Sequence, residues 1–313
     1  MSINDFNIVE GVLIKYTGTD KNIVIPDGVI KVGTNAFLDN KYLEQVTFAK
    51  SVEEICESAF SGCDKLKKIT LNCRIIGAGA FENCTGLKTV VLEESVRIIG
   101  GSAFDNCKIK NMTVKGYGKV YCHRNEHGFN GCTIDELYLE YGPLDDGDRF
   151  NNCKNSKIKS LTIEKGDILS YSFYNCDFLK KVKLDSGVKT VNHSAFEGCT
   201  ELKEAIIDST EVKRRAFFGC TKLNKVILGC RNIRDAFGGC KNIKTLGIKK
   251  SVKTLDMINL ARVWSKGEIY CEVKKQPSGW KYQDKIEQFE CEKARISGNF
   301  DTHIHWGADI SKI

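Results

Sequence analysis

The residues best suited to chemistry gather at Cys122-His123-x3-His127-x4-Cys132, two thiols and two imidazoles within eleven residues. Such a set could hold zinc if the segment closed into a helix or a tight loop. Cys132, however, belongs to a column of regularly spaced cysteines whose thiols are expected to point inward. The segment therefore reads as a loop insertion, and no metal is expected. Asp145-Asp146-Gly147-Asp148 sets three carboxylates around a glycine but lacks the bidentate Glu that closes an EF-hand loop, so a solvated turn accounts for it. His303 and His305 alternate along one face of an expected strand and read as packing residues. No Gly-rich phosphate loop, nucleophile elbow or His-Glu-x-x-His motif is present. A cysteine nucleophile needs a paired His and a depressed pKa, whereas most of the 15 cysteines recur at fixed positions, which argues for structure. The expectation is a chain without catalytic residues or cofactor.

The elements that carry these residues are set by a repeat. Ala59-Phe60-x-x-Cys63, Ala80-Phe81-x-x-Cys84, Ala103-Phe104-x-x-Cys107, Ala195-Phe196-x-x-Cys199, Ala216-Phe217-x-x-Cys220 and Ala236-Phe237-x-x-Cys240 are one motif. Degenerate copies sit at Phe129, Phe150 and Phe173, and the first copy, Ala36-Phe37, has Asn40 in place of the cysteine. The ten phenylalanines are 20 to 25 residues apart. After each cysteine come apolar residues at i, i+3 and i+5, such as Leu66-Ile69-Leu71 and Leu223-Val226-Leu228, whose last pair alternates like a half-buried strand. A second apolar pair, such as Val52 and Ile55, reads as another short strand, and the Ala-Phe segment as one helical or 3₁₀ turn. A unit of this size cannot bury its own apolar face, so the units must stack into a repeat solenoid, β-rich, of ten coils of about 22 residues.

The string Leu-x-x-Val-x-Leu, Val-x-x-Ile-Gly, Ala-Phe-x-x-Cys resembles the BspA-type leucine-rich repeat family over residues 28–255. Ile269-Tyr270-Cys271-Glu272, Pro277-Ser278-Gly279-Trp280 and His305-Trp306-Gly307 are similar to the closing segment of many such bacterial proteins. The resemblance implies a leucine-rich repeat superhelix and roles in adhesion or protein interaction at bacterial surfaces. It also implies that the column Cys, or Asn40 in the first coil, donates to backbone carbonyls of the next coil. The middle coils, near 108–175, lose the Ala and carry insertions.

The ends need covering, because an exposed sheet edge invites further pairing. Residues 1–27 read as an N-terminal hairpin cap, with strands at Val12-Leu13-Ile14 and Ile23-Val24-Ile25 around Gly18-Thr19-Asp20. Residues 256–313 hold Trp264, Trp280 and Trp306 and read as a C-terminal cap.

Two surface features point to partners. Six of the ten tyrosines, Tyr117, Tyr121, Tyr138, Tyr141, Tyr171 and Tyr174, lie in the irregular stretch. Tyrosine offers stiff area with a polar tip, so these are the expected protein-binding residues. Residues 213–253 carry twelve basic side chains and one acid, Asp235. Lys213, Arg214, Arg215, Lys225, Lys244, Lys249, Lys250 and Lys253 are therefore candidates for an acidic polymer, a glycan or a nucleic acid. An acidic column, Glu93, Glu140, Glu164, Asp185 and Asp208, follows the strands. The band lacks the interleaved aromatics that stack on bases, which disfavours nucleic acid.

Composition bounds the rest. Hydrophobic residues at 42% and charged residues at 28% exclude wholesale disorder, and no apolar run is long enough to span a membrane as a helix. The net charge of +7 hides an asymmetry: 11 basic and 14 acidic residues in 1–107, against 26 and 17 in 176–313. Residues 1–7 show no secretory signal, which by itself places the chain in the cytoplasm, while the resemblance places it at the cell surface or outside. The column cysteines are expected to be free, buried thiols, since parallel Cβ vectors one strand spacing apart do not suit a disulfide. The reading that results is a non-enzymatic protein-binding scaffold, with polyanion binding through 213–253 as the alternative.

Overall fold

In the computed structural model, residues 5–116, 121–122, 131–142, 157–233, 235–256, 268–274, 280–281 and 304–313 are described. The Cys122, His123 and His127 side chains, the Asp145–Asp148 cluster, Tyr117, Trp264 and His303 lie outside the described side chains. The chain is a β-solenoid of about nine turns, against the ten counted from the phenylalanines, and it divides into two compact units.

The first unit is built around Met1–Tyr141. Two sheets run along it, each coil adding one strand to each. The long-strand sheet contains Asn22–Val24, Gln45–Thr47, Lys68–Leu71, Thr89–Leu92, Lys108–Val114 and Thr133–Tyr141. Their pairing is parallel and in register, with Ile69 opposite Val90, Val90 opposite Met112 and Met112 opposite Leu137. These are the i+3 residues of the apolar triplet, so the register keeps one buried column continuous. The short-strand sheet begins with Val12–Tyr16 and continues through Lys31–Val32, Glu54–Ile55, Ile75–Ile76, Ile98–Ile99 and Tyr121–Cys122, also in parallel.

The N-terminal hairpin is not the one expected from the sequence. Val12–Tyr16 pairs antiparallel with Phe6–Val9 across Glu10-Gly11, both at positive φ. Asn22–Val24 pairs in parallel with Gln45–Thr47 in the other sheet. The physical reason is register: Ile23 stands opposite Val46 in the buried column, so the segment is already a coil strand, and Gly18 lies on the connection between the two sheets.

The second unit is built around Leu161–Ile313. Its long strands, Lys181–Val191, Glu204–Ile207, Lys225–Leu228, Thr245–Ile248, Glu268–Cys271 and Ile304–Trp306, align Val182, Ala205, Val226, Leu246, Ile269 and Ile304. Its short strands are the end of Lys181–Val191, Glu211–Val212, Asn232–Ile233, Thr254–Asp256 and Trp280–Lys281.

A third hydrogen-bonded row runs through the Ala-Phe turns. Phe37 N–H donates to the Ala59 carbonyl, Phe60 to Ala80 and Phe81 to Ala103; in the second unit Phe173 donates to Ala195, Phe196 to Ala216 and Phe217 to Ala236. Ala recurs there fully buried, in Ala36, Ala59, Ala80, Ala103, Ala195 and Ala216. The segments are single turns closed by i→i−3 bonds, such as Ala36 N–H to Gly33 and Asn40 N–H to Phe37. A left-handed residue at each end stops them from extending into helix, for example Asn35 (φ 58°) and Asp39 (φ 58°).

The core is a stack of rings. Phe37, Phe60, Phe81 and Phe104 pack face to face with centroids 4.5–5.5 Å apart, and Tyr16 meets Phe37 at the near end. Phe173, Phe196, Phe217 and Phe237 repeat this at 5.0–5.4 Å. The column thiols lie beside the rings. Cys63 Sγ donates to the Phe37 carbonyl at 3.2 Å, and Cys84, Cys107, Cys199, Cys220 and Cys240 make the same bond. The acceptor belongs to the preceding coil, not the next. Asn40 replaces the thiol differently: its Oδ1 accepts the Tyr42 and Leu43 N–H groups of its own coil. All cysteines whose side chains are described are free, and all but Cys56 are buried.

Candidate functional site

The turn row offers a way to find residues that depart from the repeat. Among the described residues the position two before the turn Phe takes positive φ: Asn35, Ser58, Gly79, Ser102, Tyr171, Ser194, Arg215 and Asp235. Small polar residues and glycine tolerate this region, because their own side chains bond locally or have no Cβ to clash. Among the described residues, Tyr171 (φ 61°) and Arg215 (φ 60°) are the two large side chains in the column. A bulky residue held there stores strain, and such outliers cluster at functional sites.

Both project onto the turn face of the second unit, where they have company. Tyr171 is 46% exposed and meets Tyr174 edge-on at 5.7 Å and His193 at 5.9 Å. Arg215 forks onto Glu197, with Nε at 3.2 Å from Oε2 and NH2 at 2.6 Å from Oε1. Its guanidinium carbon lies 4.2 Å over the Phe218 ring. Phe218 remains 36% exposed, and it lies where a side chain at Gly238 would stand, since a Cβ on Gly238 would come within 2.7 Å of its Cδ2. Burial works against the charge on Glu197, but hydrogen bonds from Arg215 and Ser194, with the charge of Arg215 and His193 nearby, together outweigh it and hold the carboxyl below its ordinary range. Arg215 is raised in turn, chiefly by its hydrogen bonds to Glu197. The result is a partly exposed Tyr-Tyr-Arg-Phe surface on a rigid backbone. It can stack on planar groups, accept an anionic or carbonyl oxygen, and shield both from water.

Three of the sequence candidates, Tyr171, Tyr174 and Arg215, are thus brought together. The other described tyrosines are elsewhere. Tyr138 sits in the long-strand sheet of the first unit opposite Thr113, half-buried, and Tyr141 ends that strand. The backbone of Tyr121 lies in the short-strand sheet. His193, Glu197 and Phe218 were not singled out from the sequence. Once coils are aligned, the residue after Phe is Ser61, Glu82, Asp105, Glu197, Asn130 or Asn151 in six coils, Leu38 and Gly238 in the first and last, and an aromatic only at Tyr174 and Phe218.

Among the described residues, five of the twelve basic side chains of the band pair with carboxylates. Arg214 pairs with Asp235 at 3.3 Å, Arg215 with Glu197, Lys225 with Glu204 at 3.2 Å and Lys222 with Glu201 at 2.5 Å. Lys249 reaches two coils back over Gly229 to Asp208 at 2.8 Å. Lys213 donates to Asn192 Oδ1 at 3.0 Å. Lys244, Lys250 and Lys253 are exposed and make no side-chain ion pair among the described residues. Elsewhere in the acidic column Glu93 pairs with Lys115 at 3.0 Å and Asp185 with Lys183 at 2.7 Å. Among the described residues no group of three or more His, Cys, Asp or Glu could hold a metal ion, and no helix is long and apolar enough to cross a membrane.

Stacked parallel coils with an inward phenylalanine column define a solenoid repeat protein of the leucine-rich class. The profile of the BspA type leucine-rich repeat region matches residues 14–135 and 146–260, in six copies. The chain belongs to that family. A leucine-rich repeat protein from Bacteroides ovatus is similar at 28% identity and a TM-score of 0.48, covering 80% of this chain; the chain spans 66% of that protein. A leucine-rich cell surface protein from Faecalibacterium prausnitzii is similar at 18% identity and a TM-score of 0.34, over 87% of this chain and 92% of the other. The leucine-rich repeat protein of T. pallidum is similar at 22% identity and a TM-score of 0.36, over 86% and 97%. No curated protein matches.

Proposed function

We propose that the chain is a non-enzymatic scaffold that binds a protein partner at the bacterial cell surface through Tyr171, Tyr174, Arg215 and Phe218. Membership of a leucine-rich repeat family supports the scaffold role. The observation that carries the site is the pair of large side chains held at positive φ in a column that, among the described residues, is otherwise of Asn, Ser, Gly and Asp. In this reading the antiparallel hairpin of Phe6–Val9 and Val12–Tyr16 caps the N-terminal end of the repeats. Tyr, Arg and an apolar rim are the composition that dominates binding energy at protein interfaces, and a rigid surface loses little entropy on docking.

The strain gives the test a sign that a merely structural role would not produce. Tyr171→Asn is expected to stabilise the chain by roughly 1 kcal/mol, by relieving the left-handed tyrosine, while weakening partner binding. Wild-type chain, Tyr171→Asn/Arg215→Ser and Lys244→Glu/Lys250→Glu are compared as baits against one cell-surface protein extract. The partner retained by the wild type should be lost at least tenfold from the first variant and kept by the second. Equal retention by wild type and Tyr171→Asn/Arg215→Ser would sink the assignment. Loss confined to the lysine variant, with steep salt dependence, would shift it to an acidic polymer bound by 213–253.

A further inference from the structure

The outer face of the long-strand sheet in the second unit holds a covered apolar notch. Along that face Ile206, Ile227, Gly247, Tyr270 and His305 stand in register in successive coils. They alternate with fully buried neighbours, Val226 and Leu228 beside Ile227, and Leu246 and Ile248 beside Gly247, so they point outward. An outward residue on an open face stays exposed, as Val24 does at 52% in the first unit. Ile227 is nevertheless only 7% exposed.

The cover is the segment Asp309–Ile313. A Cβ on Gly247 would lie 3.1 Å from both Ile310 Cγ2 and Ile313 Cδ1 and 3.4 Å from Ile227 Cγ1. Ile310 is 3% exposed. The missing side chain of Gly247 is therefore the space that the two isoleucines fill, in a column where the adjoining coils place Ile and Tyr. The segment is folded before it docks. Asp309 caps the 3₁₀ turn Ile310–Lys312 by accepting the Ser311 N–H at 3.1 Å and the Ser311 hydroxyl at 2.6 Å. Lys312 N–H bonds Asp309, and Lys312 Nζ lies 3.1 Å from its carboxylate. The tether just before it is held by Gly307 N–H to Val273 and Ala308 N–H to Cys271. Among the described residues no hydrogen bond joins 309–313 to the sheet; the contact is aliphatic.

We propose that the notch at Ile227 and Gly247 is a docking slot for a short aliphatic turn with isoleucines at i and i+3, occupied in the resting chain by its own residues 309–313. A self-capped turn seated by apolar contact alone can leave without breaking a backbone bond to the sheet, and a turn of the same chemistry can enter in its place. This slot lies on the sheet face and stands independently of the turn-face assignment.

The test uses a labelled peptide of residues 304–313 and the full-length chain. Ile310→Asp/Ile313→Asp should open the slot, and the peptide should bind this variant at least tenfold more tightly than the wild type, whose slot is filled. Adding Gly247→Val should abolish that binding. Equal binding to wild type and variant, or binding to neither, overturns the proposal. Should the double substitution fail to fold, Gly247→Val alone answers: it fills the notch, and the Lys312 and Ile313 amides should exchange at least tenfold faster than in wild type. Unchanged exchange there also overturns the proposal.

Discussion

Replacing Phe196 by Ala is expected to destabilise the chain by about 3–5 kcal/mol. Phe196 is fully buried and stacked between Phe173 and Phe217, each at 5.0 Å and within 7° of parallel. The substitution removes the ring's transfer energy and both stacking contacts. What sets the cost near the upper end is that the hole cannot close. The neighbouring coils are clamped by the two sheets and by the turn row, where Phe196 N–H bonds Ala216 and Phe173 N–H bonds Ala195. Collapse would break those ladders, so the cavity stays, and the penalty scales with its volume. Repeat stability is a sum of coil and interface terms, and this one side chain contributes to two interfaces. A urea titration of the variant measures the loss; a change below 1 kcal/mol would mean that the coils can close over the gap.

The second large effect is alkaline. Burial pushes the thiols of Cys63, Cys73, Cys107 and Cys230 from an ordinary value near 9 up to about 12. Cys84, Cys199 and Cys220 are raised well above that ordinary value, again by burial. The folded chain therefore holds these protons more tightly than the unfolded one. Their contribution is complete below pH 9 and is lost as pH rises from 9 towards 12. At pH 10 each such thiol costs roughly 1 kcal/mol, and the column acts together, so several kcal/mol should vanish within one to two pH units. That is a large share of the stability of a domain. Urea midpoints between pH 7.5 and 10.5, with thiolate absorbance followed in parallel, test it. A chain equally stable at pH 8 and pH 10 would contradict the buried, protonated column. The same burial should make these thiols unreactive below pH 9 until the chain is denatured.

The repeat was legible because its physics is one-dimensional. A unit of about 22 residues that cannot bury its own Phe and Leu columns has one way to do so, and the period states it. Buried phenylalanines, free thiols and in-register strands such as Ile69, Val90 and Met112 all follow from that single constraint. The N-terminal strands were misassigned for a related reason. Val12–Tyr16 and Asn22–Val24 look alike locally, and only the partner that each meets, Lys31–Val32 or Gln45–Thr47, decides which sheet takes it. Tyr138, between Leu137 and Leu139, looked from the sequence the best solvent-facing member, yet among the described tyrosines it is Tyr174 that meets Tyr171, because faces of a coil alternate faster than a count of residues records.

Charge shows where sequence alone stops. Twelve basic residues in 213–253 read as an unopposed band because only Asp235 lies among them. In a solenoid the nearest non-local neighbour of a residue is about one coil, or 18 to 26 residues, away. Glu197, Glu201, Glu204 and Asp208 stand just outside the window in sequence and directly beside Arg215, Lys222, Lys225 and Lys249 in space. The turn-face cluster and the isoleucine-filled notch over Gly247 arise the same way, from side chains a coil or more apart. The sequence by itself determined the coil, its core and its chemistry of burial, since these depend on periodicity. Which side chains meet across coils depends on strand register and on the side to which each residue points, and only the tertiary structure decided that.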